Sequence, residues 1–264
     1  MQRKIHGQMS ESFLIAGILS ISGGLQDAYT YMYRGKVFAN AQTGNIVLLS
    51  QKLVDRNLQA ALRYFFPLLF FALGVAMAEC IRMKYQKAQK IHWRQLVLVM
   101  EIVLLFAVGF FPNEMDLLAN AMVSFACAMQ VQAFRKVNGY AFASTMCIGN
   151  LRSGMESLCA YGKTKDKKIL QKSGYYFGII FLFAIGAALG GHMIKYIGAK
   201  TIWISCLILL ISFLCMFIRE EKKEHPEIAE EEQEIRDNLK NIRKEAKDVE
   251  HILEDDIRSQ IEKK

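Results

Sequence analysis

Long apolar runs, each broken by a short polar or charged stretch, set the pattern of this chain. Six of them extend for roughly 18–22 residues: Phe13–Tyr33, Tyr64–Met83, Trp93–Phe111, Leu117–Phe134, Gly174–Ile194 and Thr201–Ile218. A helix rising about 1.5 Å per residue needs about 20 residues to cross about 30 Å of hydrocarbon. Any one run could be the core helix of a soluble protein. Six in succession predict an all-α, polytopic transmembrane helical bundle.

Two further segments, Phe38–Val54 and Ala141–Tyr161, carry apolar runs of only about ten residues, too short to span. The first opens on "FANAQTGN". At membrane depth, irregular backbone is tolerated only where protein or water surrounds it. Phe38–Thr43 is therefore expected to enter as non-helical chain, with Asn40, Gln42 and Thr43 supplying hydrogen-bond partners. Gly44 permits a tight turn and Asn45 is a competent N-cap, so "NIVLLSQKLV" is expected to return as a half-helix. "STMCIGNLRSGMESL", Ser144–Leu158, repeats the device from the opposite face.

Charge fixes the expected directions. The basic loops Arg82–Arg94 and Lys163–Lys172 and the N-terminus with Arg3 and Lys4 belong inside; the acidic "PNEMD", Pro112–Asp116, belongs outside. All four signals agree only if the two short segments enter and leave on one side. The count is then six spans plus two re-entrant half-helices.

Shifting the sequence by 105 positions places Asp27 on Gln132, Tyr29 on Phe134, and Gly44–Asn45 on Gly149–Asn150. Further along, "ALGVAMAEC" at Ala72–Cys80 resembles "AIGAALGGH" at Ala184–His192. The order of these matches predicts a duplication with halves at about 12–112 and 113–219. Because the second half would run in reversed directions, it is an inverted repeat, a plan shared by many transporters.

Composition supports this division. The chain is 53% hydrophobic with a formal charge of +8. The tail from Arg219 holds 11 Lys and Arg against 16 Asp and Glu, which leaves 22 and 9 for residues 1–218. Basic residues beside apolar runs mark the cytoplasmic side and lipid headgroups, not nucleic acid. The N-terminus has the look of a signal peptide, but its apolar region is too long and carries Asp27, so an uncleaved first span is expected after a cytoplasmic stretch 1–11. The six cysteines form no Cys-x-x-Cys pair and lie in or beside apolar runs, as small hydrophobes do. Residues 220–264 form a different unit: Ile228, Ile235, Ile242 and Val249 recur every seven residues, a seam for a soluble cytoplasmic helix. It could pair two copies as a coiled coil, or fold as a single helix.

The polar residues inside apolar runs are the candidates for function. An ionised Asp27 or Glu101 costs at least ~2.5–3.5 kcal/mol in the bilayer, so each must be protonated, paired or wet. Arg152 is the natural partner for Asp27, and the pair could equally be a structural clip. Each half-helix start carries about +0.5 charge and free N–H groups. The candidate solute-binding set is Asp27, Asn40, Thr43, Gly44, Asn45, Gln132, Gly149, Asn150 and Arg152, with Asp27 and Glu101 as candidate proton carriers. The plainer reading is that the amides only pack the halves together. Gly17, Gly23, Gly24, Gly186, Gly190 and Gly191 are expected at close helix crossings. No His-Glu-x-x-His, Gly-x-Ser-x-Gly or phosphate-binding glycine loop appears, so no enzyme, metal or cofactor is expected.

"GGLQDAYTYMYRGKVFANAQTGN", Gly23–Asn45, resembles the signature of the YoaK-like bacterial membrane proteins. The likeness rests on Gly24, Asp27, Ala28, Tyr29, Phe38, Asn40, Thr43, Gly44 and Asn45, and covers about Ser12–Arg219. It implies a multi-pass protein of the bacterial cytoplasmic membrane and brings no activity with it. The second copy has Ile148 where the first has Thr43. The leading expectation is a transporter or channel for a small solute or ion, with both termini cytoplasmic. The rival is a membrane scaffold or sensor that acts, and dimerises, through its C-terminal helix.

Overall fold

The computed structural model describes residues 12–85, 93–137, 140–142 and 144–224, and the side chains of the last helix as far as Phe217. The stretch 1–11, part of the loop before Trp93, and the heptad seam beyond Glu224 lie outside them. The described chain is almost wholly helical: α1 (Phe13–Met32), α2 (Gln42–Val54), α3 (Leu58–Tyr85), α4 (Trp93–Val108), α5 (Asp116–Ala133), α6 (Cys147–Thr164), α7 (Lys167–Ile197) and α8 (Ile202–Glu224). A two-residue antiparallel pair, β1 (Lys136–Val137) with β2 (Tyr140–Ala141), was not expected and leads into α6. Residues up to Met216 form one compact unit; Phe217 onward form another.

Each expected run is a helix, and several are longer than the apolar pattern indicates. α3 starts at Leu58 instead of Tyr64 and α7 at Lys167 instead of Gly174, because polar first turns extend both helices beyond their apolar stretches. Among the described residues, two stretches are long and apolar enough to cross a membrane by that measure alone: Leu58–Tyr85, and Lys167–Phe217, which holds α7, a short turn and α8. α4 has only 16 residues, and α1 carries Gln26 and Asp27 within its run.

Polarity runs from inside to outside. Ser20, Ser22, Gln26, Asp27, Thr30, Arg34 and Glu101 are buried, whereas Val103, Phe106, Phe181 and Ile211 face outward. These polar groups lie within an apolar core that includes Ile15, Leu98, Met129 and Leu209, while many large apolar side chains are also left exposed.

α1 packs most extensively on α7, and α3 on α5; α2 rests on α3 and α6 on α7. Glycine sets the first two crossings. A Cβ on Gly186 would lie 2.0 Å from the Ile21 carbonyl oxygen, one on Gly24 2.0 Å from that of Phe183, and one on Gly74 2.4 Å from that of Phe125. Bare Cα atoms therefore let these backbones touch, as expected for α1 and α7.

One end of the bundle is tied by Arg34, which is fully buried. Its Nε donates to Tyr29 Oη (2.8 Å), Nη1 to Pro112 O (3.1 Å) and Asp116 Oδ1 (3.0 Å), and Nη2 to Val108 O (3.2 Å) and Phe111 O (2.8 Å). All five donors of the guanidinium are used. Three of the acceptors are carbonyls released where α4 ends, where a cation is favoured. Arg63, near the start of α3, lines the same cleft. At the other end Phe13 stacks on Tyr175 of α7, Arg94 Nε bonds Ala133 O, and Glu79, paired with Arg82, accepts from Gln132.

α2 and α6 each follow a pair of buried loop residues, Ala39 and Asn40 for the first and Ser144 and Thr145 for the second, although Thr43 and Ile148 within their first turns are exposed. α2 runs out to the Arg34 end and turns into α3; α6 runs to the Phe13 end and turns into α7.

Candidate functional site

Two loops meet at the midpoint of α1. Asn40, just ahead of α2, donates from Nδ2 to Gly23 O (3.3 Å). Thr145, just ahead of α6, presses on the same residue, since a Cβ on Gly23 would lie 2.3 Å from Thr145 Cγ2. Gly23 is thus the point where the two loop tips converge. One turn further along α1 sits Asp27, 7% exposed. Its Oδ1 accepts the Asn40 backbone N–H at 2.8 Å, and the Ala39 N–H also serves the carboxylate. Cys147, the first residue of α6, and Cys127 of α5 lie in its electrostatic neighbourhood.

Both half-helices start without a side-chain cap, after Ala41 and Met146. At α2 the Gln42 and Gly44 N–H groups bond Asn40 O and Ala41 O, and at α6 the Asn150 N–H bonds Met146 O, so it is the positive dipole ends that are left to whatever faces them. For α2 that is Asp27. The helix end supplies the positive potential that Arg152 was expected to supply. Arg152 instead bonds Glu156 at 2.8 Å and is 81% exposed, so the Asp27–Arg152 pair is not formed. It lies in the first turns of α6, on the outward side of that helix.

Asn45 is not the N-cap of α2, which begins three residues earlier. It clamps the incoming chain: Oδ1 accepts from Phe38 N (3.1 Å), and Nδ2 donates to Phe38 O (2.7 Å) and Gln42 Oε1 (2.9 Å). The helix can start early because this side chain holds the preceding residues from within. Asn150 is buried at the matching place, fourth in α6. Asn45→Ala should cost about 1–3 kcal/mol by stranding both polar groups of the Phe38 backbone. Thermal unfolding in detergent measures it, and a change below a few tenths of a kcal/mol would mean that the clamp is idle.

Gln42 and Thr43 are helical, not irregular, and Thr43 points outward, as does Gly149. Gly44 packs its α-carbon face toward the Phe38 ring. Gln132 is not the counterpart of Asp27 in space: it lies at the bundle end, donating to Glu79 at 2.7 Å. Two residues earlier, buried Gln130 donates to Ser144 Oγ (3.1 Å) and Leu19 O (3.3 Å), joining α5 to the second loop. Three buried oxygens around the convergence have no hydrogen-bond partner: Asn40 Oδ1, Thr145 Oγ1 and Gln130 Oε1. Buried polar atoms are rarely left so. Of these, Thr145 was within reach of the sequence, since a shift of 105 from Asn40 lands on it. Gln130 and Ser144 carried no such signal.

The family described as "Protein of unknown function (DUF1275)" matches residues 15–215. The chain belongs to this family. A relative, the UPF0700 transmembrane protein YoaK of Bacillus subtilis (strain 168), is 24% identical over 182 residues, covering 66% of this chain and 80% of its own length. This bears out the likeness carried by Gly23–Asn45. No solved structure matches. The DUF1275 match takes in α1 through most of α8, hence both half-helices and the convergence at Gly23. With its many exposed large apolar side chains and two long apolar stretches, the chain is a membrane protein of the DUF1275 family.

Proposed function

We propose that the protein is a transporter or channel that moves a small polar solute or ion through the convergence at Gly23, with Asp27 taking up and releasing a proton. One observation supports this: the buried loop residues ahead of the two half-helices, Asn40 and Thr145, meet at Gly23 beside Asp27, and each keeps an unpartnered side-chain oxygen. A half-helix end aimed at a buried site is a recurrent arrangement in transporters. The two opposing signs in the sequence are reconciled here, because the α2 end and Asp27 offset each other. What remains is a set of neutral acceptors, suited to a solute that donates hydrogen bonds or to a cation.

The same reading makes the bundle six crossings with two re-entrant halves in inverted repeat. Exchanging α1 with α5 and α3 with α7 carries the α1–α7 contact onto α3–α5, and α2–α3 onto α6–α7. The starts of α2 and α6 differ by the 105 positions of the sequence match. Both termini would be cytoplasmic in a bacterial cell membrane.

Liposomes enclosing a pH-sensitive dye test it, with proton, sodium and chloride gradients imposed in turn. The expected result is flux above protein-free vesicles that Asp27→Asn removes and Arg152→Ala leaves intact. Flux that survives Asp27→Asn, or none with any of the three ions, would count against the proposal.

A further inference from the structure

A second knot of buried polar side chains lies on another face of α1. Gln26 Nε2 is 3.0 Å from Ser22 Oγ, 3.0 Å from Ser205 Oγ of α8 and 3.2 Å from Glu101 Oε1 of α4. The two serine hydroxyls are 2.6 Å apart, and the Cys127 thiol of α5 donates to Gln26 Oε1. Four helices therefore contribute to one cluster. Glu101 is wholly buried, and its Oε2 has no hydrogen-bond partner.

Two features say that something is missing from this balance. An amide nitrogen carries two hydrogens, so it cannot serve three acceptors at once. The titratable groups facing Glu101 are the thiols of Cys127 and Cys206, the latter directed at Ile102 O; Asp27, next to Gln26, shares Cys127 with it. None of these brings a positive charge. A buried carboxylate without a cation is strongly disfavoured in protein or lipid. One carboxylate calls for one positive charge. The atoms able to receive it are hard oxygens: the Glu101 carboxylate, two hydroxyls, and the Gln26 carbonyl once its amide is turned over, an exchange that alters no shape.

We propose that Glu101, Ser22, Ser205 and Gln26 form a binding site for one monovalent cation, a sodium ion or a proton. Gln26 and Asp27 are consecutive on α1 and point about 100° apart, so the site adjoins the Gly23 convergence, with the Cys127 thiol between the two and none of the four proposed ligands in common. It stands whether or not that convergence carries a solute.

The test is thermal unfolding of the purified full chain in detergent, in sodium chloride or choline chloride of equal ionic strength, from pH 6 to pH 9. If sodium is the occupant, the midpoint rises saturably, by roughly 5–10 °C at a hundredfold excess over Kd. Glu101→Gln abolishes the rise, and Ser205→Ala shifts its sodium dependence by about tenfold or more. If the proton is the occupant, sodium has no effect. Stability then falls as pH rises, because the folded chain holds a proton that the unfolded chain has released. Glu101→Gln removes the part of that fall which Asp27→Asn leaves in place. Asp27→Asn retains either response, which separates this site from the solute pathway. A wild type indifferent to both ions overturns the proposal, as does a Glu101→Gln variant that responds like wild type. Should Glu101→Gln fail to fold, a response whose midpoint Ser205→Ala leaves unmoved overturns it equally.

Discussion

Gly186→Ala is expected to destabilise the protein by about 3 kcal/mol, at the upper end of what overpacking costs. The added methyl carbon would lie 2.0 Å from the carbonyl oxygen of Ile21 and 2.7 Å from its carbon. Both are backbone atoms in the middle of α1, so no side chain can swing aside; the helices must separate. Separation then loosens the reciprocal contact, where Gly24 meets the Phe183 carbonyl oxygen, and with it the largest interface in the unit. Gly74→Ala should behave alike at the α3–α5 crossing, with 2.4 Å to Phe125 O and 2.9 Å to Ala128 Cβ. Three other helix-interior glycines provide the contrast. Gly149, Gly162 and Gly174 have nothing within 4 Å of an added Cβ. Alanine at those places should leave stability unchanged or raise it by about 0.5–1 kcal/mol, through reduced backbone freedom in the unfolded chain. Thermal unfolding of the five variants in one detergent decides the matter, and equal shifts for Gly186→Ala and Gly174→Ala would refute the crossing argument.

The glycines also show why much of this fold was legible in the sequence. Apolar run length located the six helices other than α2 and α6, because helix length and greasiness are local properties. Small residues in the α1 and α7 runs could be assigned to crossings on the same local grounds. The repeated Gly-Asn placed α2 and α6 in register, fourth-residue asparagine included. What failed were statements about partners across space. Asn45 was assigned the cap because capping is a local rule, yet its side chain bonds the chain seven residues back. Arg152 was assigned to Asp27 because opposite charges attract, yet two backbone N–H groups ahead of α2 had already met that need. Gln132 matched Asp27 by simple counting, while α5 is turned so that Gln130 faces the interior. Gln26, Ser22 and Ser205 passed unnoticed because a serine or glutamine within an apolar run gives no warning that α1 and α8 will bring them together.

Arg34→Ala should cost about 3–5 kcal/mol, the range for removing one partner of a buried ion pair. The structure places Arg34 at 0% exposure with every donor engaged, so truncation strands groups on three segments at once. The Phe111 carbonyl loses its partner, while the Val108 and Pro112 carbonyls each lose one of two, keeping the N–H groups of Phe111 and Met115. Tyr29 Oη and Asp116 lose theirs, and Asp116 keeps its charge. Arg34→Lys separates charge from geometry. An ammonium keeps the sign but offers three donors from one point where five are needed in a planar fork, so it should recover less than half of the loss. Asp116→Asn should be milder than either, because its side chain is 29% exposed and water can replace part of the pair. The expected order of unfolding midpoints is wild type, Asp116→Asn, Arg34→Lys, Arg34→Ala. A lysine variant as stable as wild type would show that the charge alone holds this end, and that the five-donor geometry is incidental.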